Sequence, residues 1–235
     1  MKNILITREK AQFEEVKELF LSKGLNPIPF PVIKFTKEEF SFEEDNFDYL
    51  IFTSTNGVKF FFKKYTLKKA NIVAVGEKTK RAIESLGYRD ILVPEDYSSE
   101  GLLRYITDRR YMFEGRRFGL VRAVEGINTL LDKRPDWLNI KLITVYRTEL
   151  NIPENLDTVQ RMLRDGQIDI VVFSSPSSVD GFLKLIPQQS ILENLKIAVI
   201  GKTTQQKVEE KGLKVKIKPK KPTFENLIEE VLKYT

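Results

Sequence analysis

The chain has no cysteine and no histidine among its 235 residues. The first absence excludes disulfides and thiolate chemistry, and is the composition expected of a protein in a reducing cytoplasm. The second removes the usual general base at neutral pH and the commonest metal ligand. Chemistry must therefore come from Tyr, Lys, Arg, Asp, Glu, hydroxyls or backbone amides. No segment approaches the roughly 18–20 continuous apolar residues of a membrane span, so no membrane association is expected. The opening MKNILITREK is too short in its apolar part, and acidic too early, for a signal peptide, and reads as a first β-strand. Phosphate-loop motifs are missing as well. AVGEKT and VIGKTT carry one glycine each, and no GxGxxG follows a strand, which disfavours a nucleotide or sugar-phosphate enzyme. Carboxylates fall mainly on helical surfaces without metal-ligand spacing, and EEDNFD (43–48) reads as a solvated loop.

What is present is the composition of a folded α/β protein. Hydrophobic residues make up 41%, and 39 Lys+Arg against 33 Asp+Glu leave a net charge of +6, a surplus that draws anionic partners. The length suits one large domain or two ordinary ones. The densest basic run, KGLKVKIKPKKP (211–222), alternates lysines with Val215 and Ile217, the pattern of a half-buried edge strand protected by charge. No aromatics interleave with its lysines, so nucleic-acid binding is not expected. No large exposed apolar face is evident, and a monomer is the expectation.

The chain repeats itself. DYLIFTSTNGVKFFF (48–62) and DIVVFSSPSSVDGFL (169–183) share an acidic residue, an apolar run ending in Phe, a hydroxyl cluster, and Val and Phe three apart. The likeness continues in NIVAVGEKTKRAIESLG (71–87) and KIAVIGKTTQQKVEEKG (196–212). Gly76 matches Gly201, Thr79 matches Thr204 and Gly87 matches Gly212 at one common offset, and SSEGLLRYI and TFENLIEEV then form the same capped helix. At a shorter offset NILITREKA (3–11) resembles RFGLVRAVE (117–125), setting Arg8 against Arg122. Extended stretches follow in both, PIPFPVIKF (27–35) and KLITVYRTE (141–149). Each half is expected to run strand, helix, strand, strand, helix, strand, helix, strand, helix. Alternation of this kind predicts a parallel α/β sheet, twice over, and YLIF, IVAV, IVVF and IAVI are strands covered on both faces. Val58, Phe61, Phe62 and Tyr65, like Val179, Phe182, Leu183 and Ile186, make helical stripes that face a sheet as core.

Ligands of open parallel sheets gather at the carboxyl ends of strands. Here those ends carry Thr53, Ser54, Thr55 and Asn56, then Thr79, then Ser174, Ser175, Ser177 and Ser178, then Thr203 and Thr204. One hydroxyl per turn is a helix cap, and Ser175 before Pro176 is a plain one. Clusters of four polar residues at both repeats exceed what capping needs. Helix starts offer unpaired N–H groups to carboxylates or phosphates, so the pattern points to an anion-binding cleft.

FTSTNGV, AVGEKT, LVRAVEG, VYRT, FSSPSSV and VIGKTT, in that order, resemble the uroporphyrinogen-III synthase family over essentially the whole chain. The resemblance implies two similar parallel-sheet α/β domains of flavodoxin-like type, arising from internal duplication and joined by a two-stranded β linker. Residues 1–34 with 148–235 would form one domain and 36–143 the other, with linkers at about 31–35 and 143–147. The hydroxyl-rich corners of the two would face one another. The implied reaction closes the linear tetrapyrrole hydroxymethylbilane to uroporphyrinogen III, inverting ring D and losing water, with no cofactor and no metal. A transient contact with the preceding pathway enzyme is compatible with this. The competing reading is a non-catalytic bilobal binding protein for an anionic small molecule. By their motifs Ser54, Thr55, Asn56, Thr79, Ser175, Ser177 and Thr204 match substrate-binding positions, with Arg8 and Arg122 as partners for carboxylates. Tyr146, in VYRT, matches the family's catalytic tyrosine and would act as a general acid. Two departures stand out. Ile127 and Asn128 occupy a place where many relatives carry a basic residue, which argues against a carboxylate contact there, and Lys202 stands where proline is common.

Overall fold

Most strands in this chain are short and apolar, and the helices that begin at residues 55, 77, 99, 176, 202 and 224 follow a Ser, Thr or Gly. The computed structural model describes residues 1–126 and 128–234. In chain order the elements begin with β1 (Lys2–Ile6), α1 (Lys10–Leu21), β2 (Leu25–Pro29), β3 (Ile33–Lys37), β4 (Tyr49–Phe52), α2 (Thr55–Phe62) and β5 (Asn71–Ala74). Next come α3 (Glu77–Glu84), α4 (Ser99–Asp108), α5 (Arg110–Phe113), β6 (Arg117–Ala123), α6 (Thr129–Asp132), β7 (Asn139–Leu150) and α7 (Leu156–Arg164). The chain closes with β8 (Ile170–Phe173), α8 (Pro176–Leu185), α9 (Gln189–Asn194), β9 (Lys196–Val199), α10 (Lys202–Glu210), β10 (Val215–Ile217) and α11 (Phe224–Leu232).

Two compact units result, Met1–Phe35 with Glu149–Thr235, and Thr36–Thr148. The first, the discontinuous unit, holds a sheet ordered β10-β9-β8-β1-β2 with parallel neighbours throughout. Counted from β1 this is the 2-1-3-4-5 order of flavodoxin-like sheets. The second, the continuous unit, holds β3-β7-β6-β4-β5, with β7, β6, β4 and β5 parallel. A parallel bridge from Val73 to Leu92 occupies the place of a further strand. Counted from β6 the order is again 2-1-3-4-5, so each unit assembles pieces of both repeats. The bounds of the two units fall inside β3 and β7, which are neighbours in the sheet.

Burial explains the continuous apolar runs. In the discontinuous unit Leu5, Val171 and Phe173 pack against Val159, Val179, Phe182 and Val208 on one face. Ile4, Ile6, Ile170 and Val172 pack against Phe13, Phe20, Leu227 and Val231 on the other. In the continuous unit one face sets Ile51, Val73 and Leu120 against Leu102, Ile106, Phe113 and Leu130. Beneath α2 lies an aromatic cluster in which Phe42 meets Phe61 at 4.9 Å and Phe47 at 5.5 Å. Val58 and Phe61 of the predicted stripe are buried, while Phe62 and Tyr65 are half-buried in ring contacts.

Three details depart from the expected pattern. The extended stretch at 27–35 divides between two strands, β2 and β3, whereas its counterpart at 141–149 lies within one twelve-residue strand, β7, and a helix, α7, intervenes before β8. At the end of the first half only Leu92 makes a bridge where a strand was expected. EEDNFD is more than a solvated loop. Glu44 Oε1 accepts from the backbone N–H groups of Lys68, Lys69 and Ala70 at 2.8, 2.7 and 2.9 Å. Asp48 takes the Arg117 guanidinium at 3.1 and 3.2 Å. The basic run does form an edge strand, β10, with Ile217 inward and Lys214, Lys216 and Lys218 exposed. Among the described residues no helix is long and apolar enough to cross a membrane.

Candidate functional site

In a 2-1-3-4-5 sheet the crevice opens at the carboxyl ends of the two strands flanking the switch of direction. Those strands are β6 and β4 in the continuous unit, β1 and β8 in the discontinuous one.

In the continuous unit β4 ends at Phe52, and Ser54 caps α2, its Oγ accepting from the Gly57 N–H at 3.0 Å. Glycine lets the helix start lie close to β6, since a Cβ at position 57 would stand 3.3 Å from the Val121 carbonyl oxygen. On the far side of β6, the register with β7 steps from Arg122↔Thr144 to Ala123↔Tyr146, leaving Val145 as a bulge. Bulges re-aim side chains and favour the surroundings of active sites. Here the bulge delivers Tyr146, only 7% exposed. Its phenol oxygen lies 3.4 Å from Ser54 Oγ, and the Asn56 side chain also bonds to it. The ring stacks on Phe60, centroids 5.2 Å apart and planes 15° from parallel. Burial is the largest influence on the phenol and pushes its pKa above the ordinary 10.0; the bonds to Ser54 and Asn56 pull it back, and the charge of Glu125 adds to the rise. The group is a neutral proton donor at pH 7.

Arg122, at the end of β6, is 6% exposed and lies against Gly126 and Asn128. Its Nη2 donates to Asn128 Oδ1 at 2.5 Å, and a Cβ on Gly126 would stand 2.7 Å from its Cδ. Burial lowers its pKa and the charge of Asp132 opposes this. Ile127, the neighbour considered with Asn128 in the sequence, lies outside the described residues. The turn at Val124 and Glu125 is tied to β7 on both sides of Tyr146: the Val124 N–H donates to the Tyr146 carbonyl at 2.9 Å and Glu125 Oε2 accepts from the Thr148 N–H at 3.0 Å. Thr55 is exposed on the first turn of α2, and Thr79 is buried on the first turn of α3. That helix begins at Gly76, φ 96°, with no side-chain cap.

The discontinuous unit repeats the plan. Thr7 extends the pairing of β1, its Oγ1 donating to the Val172 carbonyl at 2.8 Å. Arg8 then turns its guanidinium over the Phe224 ring at 4.6 Å. Its buried Nε has no acceptor among the described residues. Burial lowers its pKa, against the charges of Glu15 and Glu9. Ser175 spends its hydroxyl on a capping box with Ser178, and Ser177 Oγ lies 3.1 Å from Ser175 Oγ. Thr204 is buried on α10, which starts at Gly201 with no side-chain cap. So in each unit the helix after the switch strand is capped by a serine, and the helix after the following strand begins on glycine. The leading amides of α3 and α10 are left without a side-chain cap, ready for an anion.

The structure thus gathers Tyr146, Ser54 and Asn56 at one corner and sets Arg122 beside it against Gly126 and Asn128. Arg8, Ser175, Ser177 and Thr204 belong to the other unit. Sequence reasoning missed Phe60, Glu125 and Thr7. Thr7 had a signal, a hydroxyl directly after a strand; Phe60 and Glu125 had none. Among the described residues no group of three or more Asp or Glu stands together as metal ligands would.

Comparison with known proteins bears on the fold and the kinship of the chain. A family model described as uroporphyrinogen-III synthase HemD matches residues 14–229. A uroporphyrinogen-III synthase from Chlorobaculum parvum is 29% identical over 251 residues, covering 99% of this chain and 100% of that one. Among solved structures, uroporphyrinogen-III synthetase from Helicobacter pylori superposes with a TM-score of 0.66 at 20% identity, covering 100% of both chains. A mutant uroporphyrinogen III synthase from the extremely thermophilic bacterium Thermus thermophilus gives 0.62 at 19%, covering 100% of this chain and 97% of that one. At such identities the structures speak for the fold, and the family match speaks for kinship. With nearly its whole length under that match, the chain belongs to the uroporphyrinogen-III synthase family.

Proposed function

We propose that this protein closes hydroxymethylbilane to uroporphyrinogen III and that Tyr146 is the acid of the reaction. The observation that carries the assignment of Tyr146 is a buried, neutral phenol bonded to Ser54 at the switch of the sheet. In the proposed step the bond between the terminal methylene carbon and its hydroxyl breaks. The adjacent pyrrole nitrogen supplies the electron pair, and the Tyr146 proton leaves with the hydroxyl as water. The resulting cation is attacked by the substituted carbon of the last ring; that carbon's bond to the neighbouring bridge methylene then breaks, the methylene re-bonds to the ring's free carbon, and the proton lost from that free carbon restores the phenol. The pyrrole provides its own push, so the reaction needs no added cofactor.

Selectivity for the inverted isomer is a matter of orientation, an effect worth up to about 7–11 kcal/mol when reacting atoms are well placed. The substrate carries eight carboxylates by virtue of its chemistry, and the glycine-led starts of α3 and α10 suit them. Backbone N–H donors to a carboxylate make strong, charge-assisted hydrogen bonds. Arg8, whose Nε lacks an acceptor among the described residues, offers a cation for another arm.

The test is to supply hydroxymethylbilane and separate type I from type III product. Type III product from the wild-type protein is expected, and type I alone would leave a binding protein. Tyr146→Phe should slow type III formation by on the order of 10²-fold or more, the contribution of a positioned acid. It should leave the thermal midpoint nearly unchanged, because Ser54 still caps Gly57. An unaltered rate would remove Tyr146 from the mechanism.

A further inference from the structure

We infer that Phe60 is a positioning residue for the reaction, its ring holding the plane of Tyr146 so that the phenol hydroxyl stays at the Ser54 corner. The inference rests on the reading of Tyr146 as the acid. A contact of 3.4 Å between two hydroxyls is long against the ordinary 2.7–2.8 Å and is too weak to fix a tyrosine by itself. The ring is held through its face as well, by a near-parallel stack at 5.2 Å. Phe60 lies outside the buried stripe of its helix: that stripe is Val58 and Phe61, and Phe60 stands off it, half-buried. Its ring meets Tyr146 and, at 5.5 Å from its centroid, the Lys63 ammonium. Asn56 and Phe60 are one helical turn apart, so they project from the same face of α2. The side chain of Asn56 reaches the hydroxyl and the ring of Phe60 covers the phenol face. The helix itself is seated by its Ser54 cap and by the close approach of Gly57 to Val121. One short helix therefore grips a side chain delivered by a strand from much later in the chain.

The experiment compares Phe60→Ala, Phe60→Leu and Phe60→Trp, each with and without Tyr146→Phe. Three quantities are read: kcat and KM for type III product, the type III to type I ratio, and the ionisation of the Tyr146 phenol. The last is taken as the alkaline absorbance difference between each protein and its Tyr146→Phe partner. The charged groups around the phenol, Glu125 beside it and Lys63 beyond Phe60, are the same throughout. Phe60→Ala should lower kcat on the order of 10- to 100-fold, the scale of a misplaced catalytic group, with KM changed less than about two-fold. Its phenol should titrate earlier as water reaches it. Phe60→Trp should restore both, and Phe60→Leu, which keeps apolar bulk without a flat face, should not. Wild-type kcat and titration in Phe60→Ala would overturn the inference, and so would full recovery by leucine. An earlier phenol titration in Phe60→Ala, together with an undiminished rate in Tyr146→Phe, would instead sink the acid assignment and leave the ring contact standing.

Discussion

At Tyr146 burial and a neighbouring carboxylate both disfavour the phenolate, against the weaker pull of Ser54 and Asn56. In the unfolded chain the same group titrates near its ordinary 10.0. Below that value both states keep the proton and its contribution to stability is fully present. As pH rises from about 10 toward the higher folded value, the unfolded chain ionises first and folding loses free energy. Wild type should therefore lose urea resistance more steeply than Tyr146→Phe between about pH 9 and pH 11, the lysines cancelling in the difference. Parallel curves would mean that the phenol is not desolvated. The alkaline limb of type III formation should lie above the ordinary tyrosine range for the same reason. How such a corner reads from sequence depends on distance along the chain. Ser54 and Tyr146 are visible through short motifs. Phe60 is hidden because helical spacing marks it as a surface residue and its partner arrives from another repeat. Arg122 was legible as a cation at a strand end, but not as one buried against Gly126 and Asn128, since that requires the room left by Gly126.

Elements were the most legible scale. Apolar runs covered on both faces can only be inner strands, and Ser98, Ser175 and Thr223 each cap the helix that their spacing announces. What escaped was set by partners far off in sequence. Glu44 and Asp48 look solvated until Lys68–Ala70 and Arg117 come to meet them. The strand expected around Leu92 stops at a single bridge, and Pro94, two residues on, has no N–H to continue a ladder. Helix packing makes a prediction of its own at Gly181. Alanine in a helix interior normally gains about 1 kcal/mol over glycine. Here its Cβ would stand 2.9 Å from the Val32 carbonyl oxygen, and backbone cannot rotate aside. Overpacking typically costs about 1–3 kcal/mol, so Gly181→Ala should be destabilising on balance, by about 1–2 kcal/mol in urea unfolding. A gain would show that the segment at Val32 yields.

For the whole molecule the decisive fact is which unit the chain interrupts. The continuous unit, Thr36–Thr148, is made without a break, whereas β1 of the other lies between β2 and β8 and waits for residues 170–173 before its sheet can close. Pairings so distant in sequence form slowly, and domains with contiguous chains fold first. A fragment of residues 33–150 should therefore unfold cooperatively in urea on its own, while a fragment of residues 1–35 should show no ordered far-ultraviolet spectrum. A shapeless 33–150 fragment would defeat this expectation. The Asn151 N–H donates to the Val32 carbonyl at 2.9 Å, so the chain quits the discontinuous unit and rejoins it at neighbouring points. Excising everything between leaves two ends that a hairpin turn can bridge. The interrupted lobe is in effect a host whose insert enters and leaves at one place, so removing the insert does not require rethreading the host's sheet.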